Sequence, residues 1–289
     1  METMRDVRLR MRSVRQSLQV TQAMKLISTS KLRKARRRLE ETRPYFEAIR
    51  EAMHDIVELG AVGSGAWFDA REGKAARKTA VLVVSSDRGL AGGYNAQVIR
   101  FVEERCPPGS ILLPIGSIGK RHFMDKDYVL LEDFPTSPKE PTVYEARDIA
   151  AFVAELFLAG RIDEFKVVYT RLESVVRQSP EILDLLPLAH ERLEPGRRAR
   201  RQAPRFSCLP DEETVFDSLV PKYLKGVVYG ALVESFASEQ AARMTAMDAA
   251  SKNAKQMLDR LQLLYNRARQ AAITGEVSEI VAGAAALDS

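Results

Sequence analysis

From Met247 the apolar residues fall at Ala250, Ala254, Met257, Leu261, Leu264, Ala268 and Ala271, alternately three and four apart, with neither Pro nor Gly among them. That spacing predicts the seam of a coiled coil on one long helix. Followed backward through Ala231, Val227, Tyr223, Val220 and Phe216, the pattern extends the helix to about Glu212. Some sixty residues at about 1.5 Å each predict a rod of roughly 90 Å, longer than a compact domain needs. The N-terminal segment repeats the logic: Met4, Val7, Met11, Val14, Leu18, then Leu32, Ala35, Leu39, Phe46, Ile49, Met53 and Ile56 lie on one heptad grid. Between Thr21 and Ser28 the grid positions are polar (Thr21, Lys25, Ser28), while Val20, Met24 and Ile27 carry the apolar stripe one residue back. Two readings stay open there, a register drift absorbed by the partner helix and a second face turned to an external contact. Pro44 predicts a bend over Thr42 to Tyr45.

The texture changes after Leu59, where Gly60 to Ala66 breaks the helix and begins a linker. β-Branched apolar runs follow at Thr79 to Ser85, Ile111 to Ile115, Tyr128 to Leu131 and Phe165 to Thr170. Helical stretches over Asn95 to Arg105, Ile118 to Lys126 and Val143 to Ala159 alternate with them. The fold class expected is therefore α/β: a long antiparallel two-helix coiled coil with an inserted, Rossmann-like three-layer domain on a largely parallel sheet. A further extended segment, Glu173 to Gln178, is expected to pair with the fourth strand, and Glu194 to Pro204 reads as an exposed basic loop. The domain boundaries expected are 1–60 and 212–289 for the coiled coil, 61–78 for a linker, 79–195 for the α/β domain and 196–211 for a basic linker. One long helix enters that domain and the other leaves it, so they should run antiparallel, with Ile56 near Phe216, Met24 near Ala249 and Met4 near Tyr265. The remainder, from Asn266, then overhangs while carrying Ile273, Val277, Ile280, Val281 and Leu287, which implies enclosure by another protein.

Composition narrows the chemistry. The 289 residues carry a formal charge of +5 with 29% charged side chains, which a solvated rod accounts for. Cys106 and Cys208 are the two cysteines, far apart and in no ligand spacing with the three histidines, which argues against a disulfide framework, a zinc site or any metal site. The first residues hold five arginines with no apolar core behind them, and no stretch reaches the length of a membrane span. Ser86 to Asn95 follows the first strand and opens a helix, the place where α/β domains bind phosphates. Its glycines fit neither a dinucleotide fingerprint nor a Walker loop, so a tight turn is expected, with Asp87 or Asn95 capping the following helix and no nucleotide or other cofactor bound. His54, His122 and His190 fit surface positions and form no catalytic arrangement. Lys25, Lys31, Arg33, Lys34, Arg36, Arg37 and Arg38 make a basic belt that admits a solvated face, nucleic acid or an acidic protein partner. The belt lacks aromatic residues for base stacking and has acids just downstream, so nucleic acid is not expected.

Three stretches then resemble, end to end, the gamma subunit of F-type ATP synthases: Arg10 to Ala35, Ser86 to Gly93, and Ala237 through Leu287. The resemblance implies a non-catalytic central rotor shaft turning inside three alpha and three beta subunits, coupling rotation of a membrane c ring to ATP synthesis or hydrolysis on beta. It implies that Met24, Lys25, Lys31, Arg33 and Lys34 face an acidic lever loop of beta, and that Arg269, Gln270 and Thr274 touch beta loops near the tip. It places the α/β domain at the foot against the epsilon subunit and the c ring, on the cytoplasmic face of the cell membrane as a peripheral protein. Departures from the family pattern are Ala91 in the glycine loop, Gly275 after Ile273-Thr274, polar Ser28-Thr29, and Phe206 to Pro210 in place of a tyrosine-rich stretch.

Overall fold

A computed structural model describes residues 4–58, 65–71, 77–131, 140–193 and 208–287, with side chains through Val281. The basic loop expected at Glu194 to Pro204, part of the linker from Gly60, Phe206-Ser207 and the Leu287 side chain lie outside the described residues. The chain forms two compact units, one from Met1–Ser28 with Met244–Ser289 and the other from Thr29–Arg243.

The larger unit holds a five-stranded sheet of order β3-β2-β1-β4-β5. Its strands are β1 (Thr79–Val84), β2 (Ile111–Ile115), β3 (Val129–Leu130), β4 (Glu164–Leu172) and β5 (Gln178–Leu186). The first four run parallel, and β5 is antiparallel to β4. Alternate residues of β1 point to opposite faces, and both faces are covered, which is why the strand reads as a continuous apolar run. Val81 and Val83 pack with Leu112 and Val168 beneath α2 (Tyr94–Arg105) and α3 (Ser117–Phe123), through Tyr94, Val98, Val102 and Phe123. Ala80, Leu82 and Val84 face α4 (Val143–Leu158), which contributes Ile149, Val153 and Phe157. The same cluster takes in Ile49, Met53 and Ile56 of α1 (Met4–Glu58) and Phe216, Val220 and Leu224 of α6 (Glu212–Leu287). Ile56 and Phe216 thus share one core, as the antiparallel arrangement predicts. A short α5 (His190–Leu193) precedes the basic loop.

Local chemistry explains the element ends. Thr142 caps α4 by accepting the Glu145 N–H at 3.2 Å, the first half of a Thr-x-x-Glu capping box. At the other end the Arg71 guanidinium donates to the carbonyl of Phe157 in the last turn and to that of Ile162 just beyond the helix, and pairs with buried Asp163 at 3.0 Å, tying the helix end to the start of β4. The helix α1 runs unbroken through Pro44. The missing Pro44 N–H frees the Glu40 carbonyl on an exposed turn, where water can take it, and Thr42 Oγ1 donates to the Arg38 carbonyl at 2.8 Å. α6 likewise contains Pro221, which the apolar pattern alone passes over.

One strand assignment needs correction. Glu173 to Arg177 is a turn rather than the pairing strand, because Ser174 Oγ accepts the N–H groups of Val176 and Arg177 at 3.3 and 3.0 Å and closes it. The segment that pairs with β4 is Gln178–Leu186, and Pro180 is tolerated there because β5 is an edge strand.

Candidate functional site: the faces of the paired helices

Within the unit formed by the two chain ends, α1 and α6 run antiparallel. The Arg8 guanidinium donates to the Tyr265 hydroxyl at 2.7 Å, the Ser251 hydroxyl to Thr21 Oγ1 at 2.8 Å, and Lys25 Nζ to Asp248 Oδ1 at 2.6 Å. Met24 therefore lies level with Asp248 and Ala249, as expected. It is Arg8 that meets Tyr265, one helical turn beyond the Met4 expected from counting, so the overhang of α6 begins about a turn later than the sequence count gives.

The α6 seam is also corrected. Its least exposed positions are Met247, Ser251, Ala254, Leu258, Leu261, Tyr265, Ala268 and Ala272. Half of the expected seam stands, but the alternate positions sit one residue later. Met257 and Leu264, 53% and 44% exposed, lie outside it. On a helix both i+3 and i+4 lie on the face of residue i, so apolar spacing admits Met257 or Leu258, and Leu264 or Tyr265, equally well.

On α1 the heptad grid continues without drift, so Thr21, Lys25 and Ser28 occupy the inside and the apolar stripe faces out. Ser28 is buried, whereas Val20, Leu26 and Ile27 are 57%, 70% and 56% exposed and Met24 is half-buried. A polar seam beneath exposed apolar side chains inverts the usual distribution. The grid therefore does not drift onto the Val20-Met24-Ile27 stripe at Thr21 to Ser28; the polar positions stay on the grid and Val20 and Ile27 are exposed. Asp248 sits between Lys25 and Lys252, at 2.6 and 2.9 Å. The hydrogen bonds from Lys25 and then Lys252 lower its carboxyl from an ordinary value near 3.8 to about 2. A depressed carboxyl stabilises the fold above its ordinary value, and that contribution is lost as pH falls through about 2. Asp248→Asn is therefore expected to flatten the acid-induced loss of helical circular dichroism between about pH 4 and pH 2 relative to the parent chain.

From Lys31 onward the basic belt lies in the larger unit and is partly engaged within the chain. Lys34 and Arg38 both pair with Glu140, at 3.2 and 3.1 Å. Burial raises the Glu140 carboxyl, but these cations outweigh it and hold the group below the usual carboxylate range. Lys31 Nζ sits 5.9 Å from the Phe236 ring centroid, and Arg37 pairs with Glu41 along the helix. Arg33 and Arg36 are exposed and have no ion pair among the described residues. In the other unit Arg269, Gln270 and Thr274 are exposed beside the seam positions Ala268 and Ala272, and Ile273, Val277, Ile280 and Val281 are exposed beyond them.

The glycine loop is a structural joint. Asp87 accepts the Ser117 N–H at 2.9 Å at the start of α3, and Asn95 Oδ1 accepts the Ser86 N–H at 3.0 Å. Neither caps α2, whose N-cap is Gly93 with no side-chain bond, a correction to the capping expected for them. The segment between strand and helix folds back far enough that Asp87 reaches the next helix instead. Arg243 on α6, itself buried, donates to the carbonyls of Arg88 and Gly89 at 3.0 and 3.2 Å and pairs with Glu239 at 2.5 Å. Burial pushes the Glu239 carboxyl up, opposed by Arg243. Pattern reading missed this tie, although Glu239 and Arg243 stand at i, i+4. The loop tip leaves Arg88 and Leu90 exposed, Leu90 at a φ of 64°.

His122 bonds Glu103 at 2.9 Å, His190 stacks on Phe68 at 4.5 Å, and His54 is half-buried. Among the described residues no three His, Cys, Asp or Glu side chains are grouped to hold a metal, and no helix is long and apolar enough to cross a membrane. Cys106 is buried and its thiol is pushed up by that burial.

Comparison with known proteins gives these faces a context. The ATP synthase family model matches residues 3–287. The ATP synthase gamma chain of Ruminiclostridium cellulolyticum is 43% identical over 290 residues, covering 99% of both chains. The sodium ion specific ATP synthase gamma chain of Acetobacterium woodii is 38% identical over 303 residues, again 99% of both. Among solved structures, a chain of the Euglena gracilis mitochondrial ATP synthase in its OSCP/F1/c-ring structure superposes with a TM-score of 0.65 at 20% identity, over 98% of this chain and 94% of that one, a likeness of fold. With a full-length family match and full-length relatives above 30% identity, the chain belongs to the ATP synthase gamma-chain family.

Proposed function

We propose that this chain is the central rotor shaft of an F-type ATP synthase, a non-catalytic subunit that carries rotation from a membrane c ring to nucleotide sites on the beta subunits. The observation that carries the reading is the inverted stretch of α1, where Thr21, Lys25 and Ser28 hold the seam while Val20, Leu26 and Ile27 face outward. A shaft that turns past several copies of a partner needs a continuous bearing surface, and apolar contact is non-directional, so it suits successive stations without locking into one. Met24, Arg33 and the outer faces of Lys25, Lys31 and Lys34 meet an acidic lever of beta in this reading, and Arg269, Gln270 and Thr274 meet beta loops around the exposed tip. Functionally the chain divides into shaft segments 1–60 and 212–289, an α/β foot at 79–195, and linkers at 61–78 and 196–211. The foot stands against the epsilon subunit and the c ring, with alpha and beta around the shaft, and holds the protein peripherally at the cytoplasmic face of the cell membrane.

Co-purification with alpha and beta subunits tests the assembly, and Met24→Lys tests the bearing. The substitution adds a cation beside Lys25 on the outward face, and about 1.4 kcal/mol added to one station's well without a matching gain in the transition state slows escape roughly tenfold. Met24→Lys is expected to leave assembly intact and lower the ratio of ions pumped to ATP hydrolysed, measured on the same vesicles. An unchanged ratio assigns Met24 to ordinary helix packing.

A further inference from the structure

The unit formed by the chain ends carries a groove of about 470 Å³ between α1 and α6, lined by Arg8, Met11, Arg12, Arg15, Gln262 and Tyr265. We propose that it is an anion site for a short phosphate chain, inorganic or carried by a nucleotide. The proposal is independent of the rotor reading and of the bearing face around Met24.

Charge is the first argument. Arg8, Arg12 and Arg15 stand at i, i+4 and i+7 on one face of α1, and no carboxylate lines the groove. Like charges at this spacing repel and destabilise a helix, and a bound anion relieves that cost. Arg12 and Arg15 are exposed and have no ion pair among the described residues, so their forks are available to phosphate oxygens.

Neutral donors are the second. Tyr265 accepts from Arg8 at 2.7 Å, which leaves its own hydroxyl proton for another acceptor. Gln262 spends one amide hydrogen on Asn266 Oδ1 at 3.1 Å and keeps a second. With Arg8 also 5.5 Å from the Tyr265 ring centroid, the hydrogen bond and the ring contact together fix one guanidinium in place. Three cations with two neutral donors make a set rich in donors, which suits a multiply charged ligand with many acceptor oxygens.

The test is calorimetric titration of the full-length chain with tripolyphosphate, pyrophosphate and ATP at low ionic strength, with helical content of every variant checked by circular dichroism. Saturable binding of one tripolyphosphate is expected. Arg12→Gln and Arg15→Gln should each weaken it at least about tenfold, whereas the belt variant Arg36→Gln/Arg37→Gln should bind as the parent does. Tyr265→Phe, which removes only a neutral donor, should weaken it less than either arginine change. Equal affinity for ATP and tripolyphosphate identifies the phosphate chain alone as the ligand. ATP bound at least about tenfold tighter adds the nucleoside to it, and both results support the site. Absence of saturable binding, or equal weakening by the belt variant, overturns the proposal, because binding would then follow net charge rather than the groove.

Discussion

Gly116→Ala is expected to lower the stability of the full chain by about 3–5 kcal/mol, read as a lower urea midpoint by circular dichroism. Gly116 has a φ of 89° and a ψ of 135°, a region that side chains rarely adopt. A Cβ there would lie 2.3 Å from the Ser85 carbonyl oxygen and 2.7 Å from Ser85 Oγ. Relief is difficult because Ser85 is held from several sides. Its N–H donates to the Ile115 carbonyl, its hydroxyl donates to the same carbonyl, and its Oγ accepts the Gly119 N–H. The strain therefore enters the ends of β1 and β2, where the loop carrying Asp87 and Arg88 begins. Gly65→Ala, at a glycine whose Cβ would meet nothing within 4 Å, is the matched control and should change stability by less than about 1 kcal/mol.

Leu261→Asp should cost the α1–α6 pairing about 3 kcal/mol or more, whereas Met257→Asp should change it by about 0.5 kcal/mol or less. Leu261 is 7% exposed and belongs to the seam, so the substitution deletes a packed side chain and leaves a carboxylate without a partner. Met257, four residues earlier, faces away from the seam. Thermal unfolding of the two variants checks the corrected seam directly: equal costs would restore the register in which Met257 and Leu264 lie inside. In an assembled enzyme the Leu261 change is also expected to reduce coupled ATP synthesis, since a shaft transmits torque only as far as its helices stay paired.

Hydrophobic spacing alone gave the start of α6, the α1 grid from Met4 to Ile56 and the α/β alternation, because these follow from the 3.6 and 2.0 periods of helix and strand. It fell short of the length of α6, which runs 76 residues rather than some sixty, and the antiparallel pairing came from the order of the elements. Spacing also gave the two-faced stretch at Thr21 to Ser28, though not which face is inside. The choice between i+3 and i+4 along α6 was beyond it: Met257 and Leu258 are both apolar, and only the partner helix decides which is covered. The same holds for Lys25. Its place in a basic run says nothing of Asp248, more than two hundred residues away, and only pairing of the chain ends brings the two within 2.6 Å. Nothing in the local sequence aims Arg71 and Arg243 at carbonyls of α4 and of the glycine loop; the fold alone brings them there. Sequence thus determined which residues repeat on a face, a local property of the backbone. Tertiary structure decided what each face meets, since burial and ion pairing depend on groups that only the folded chain brings together.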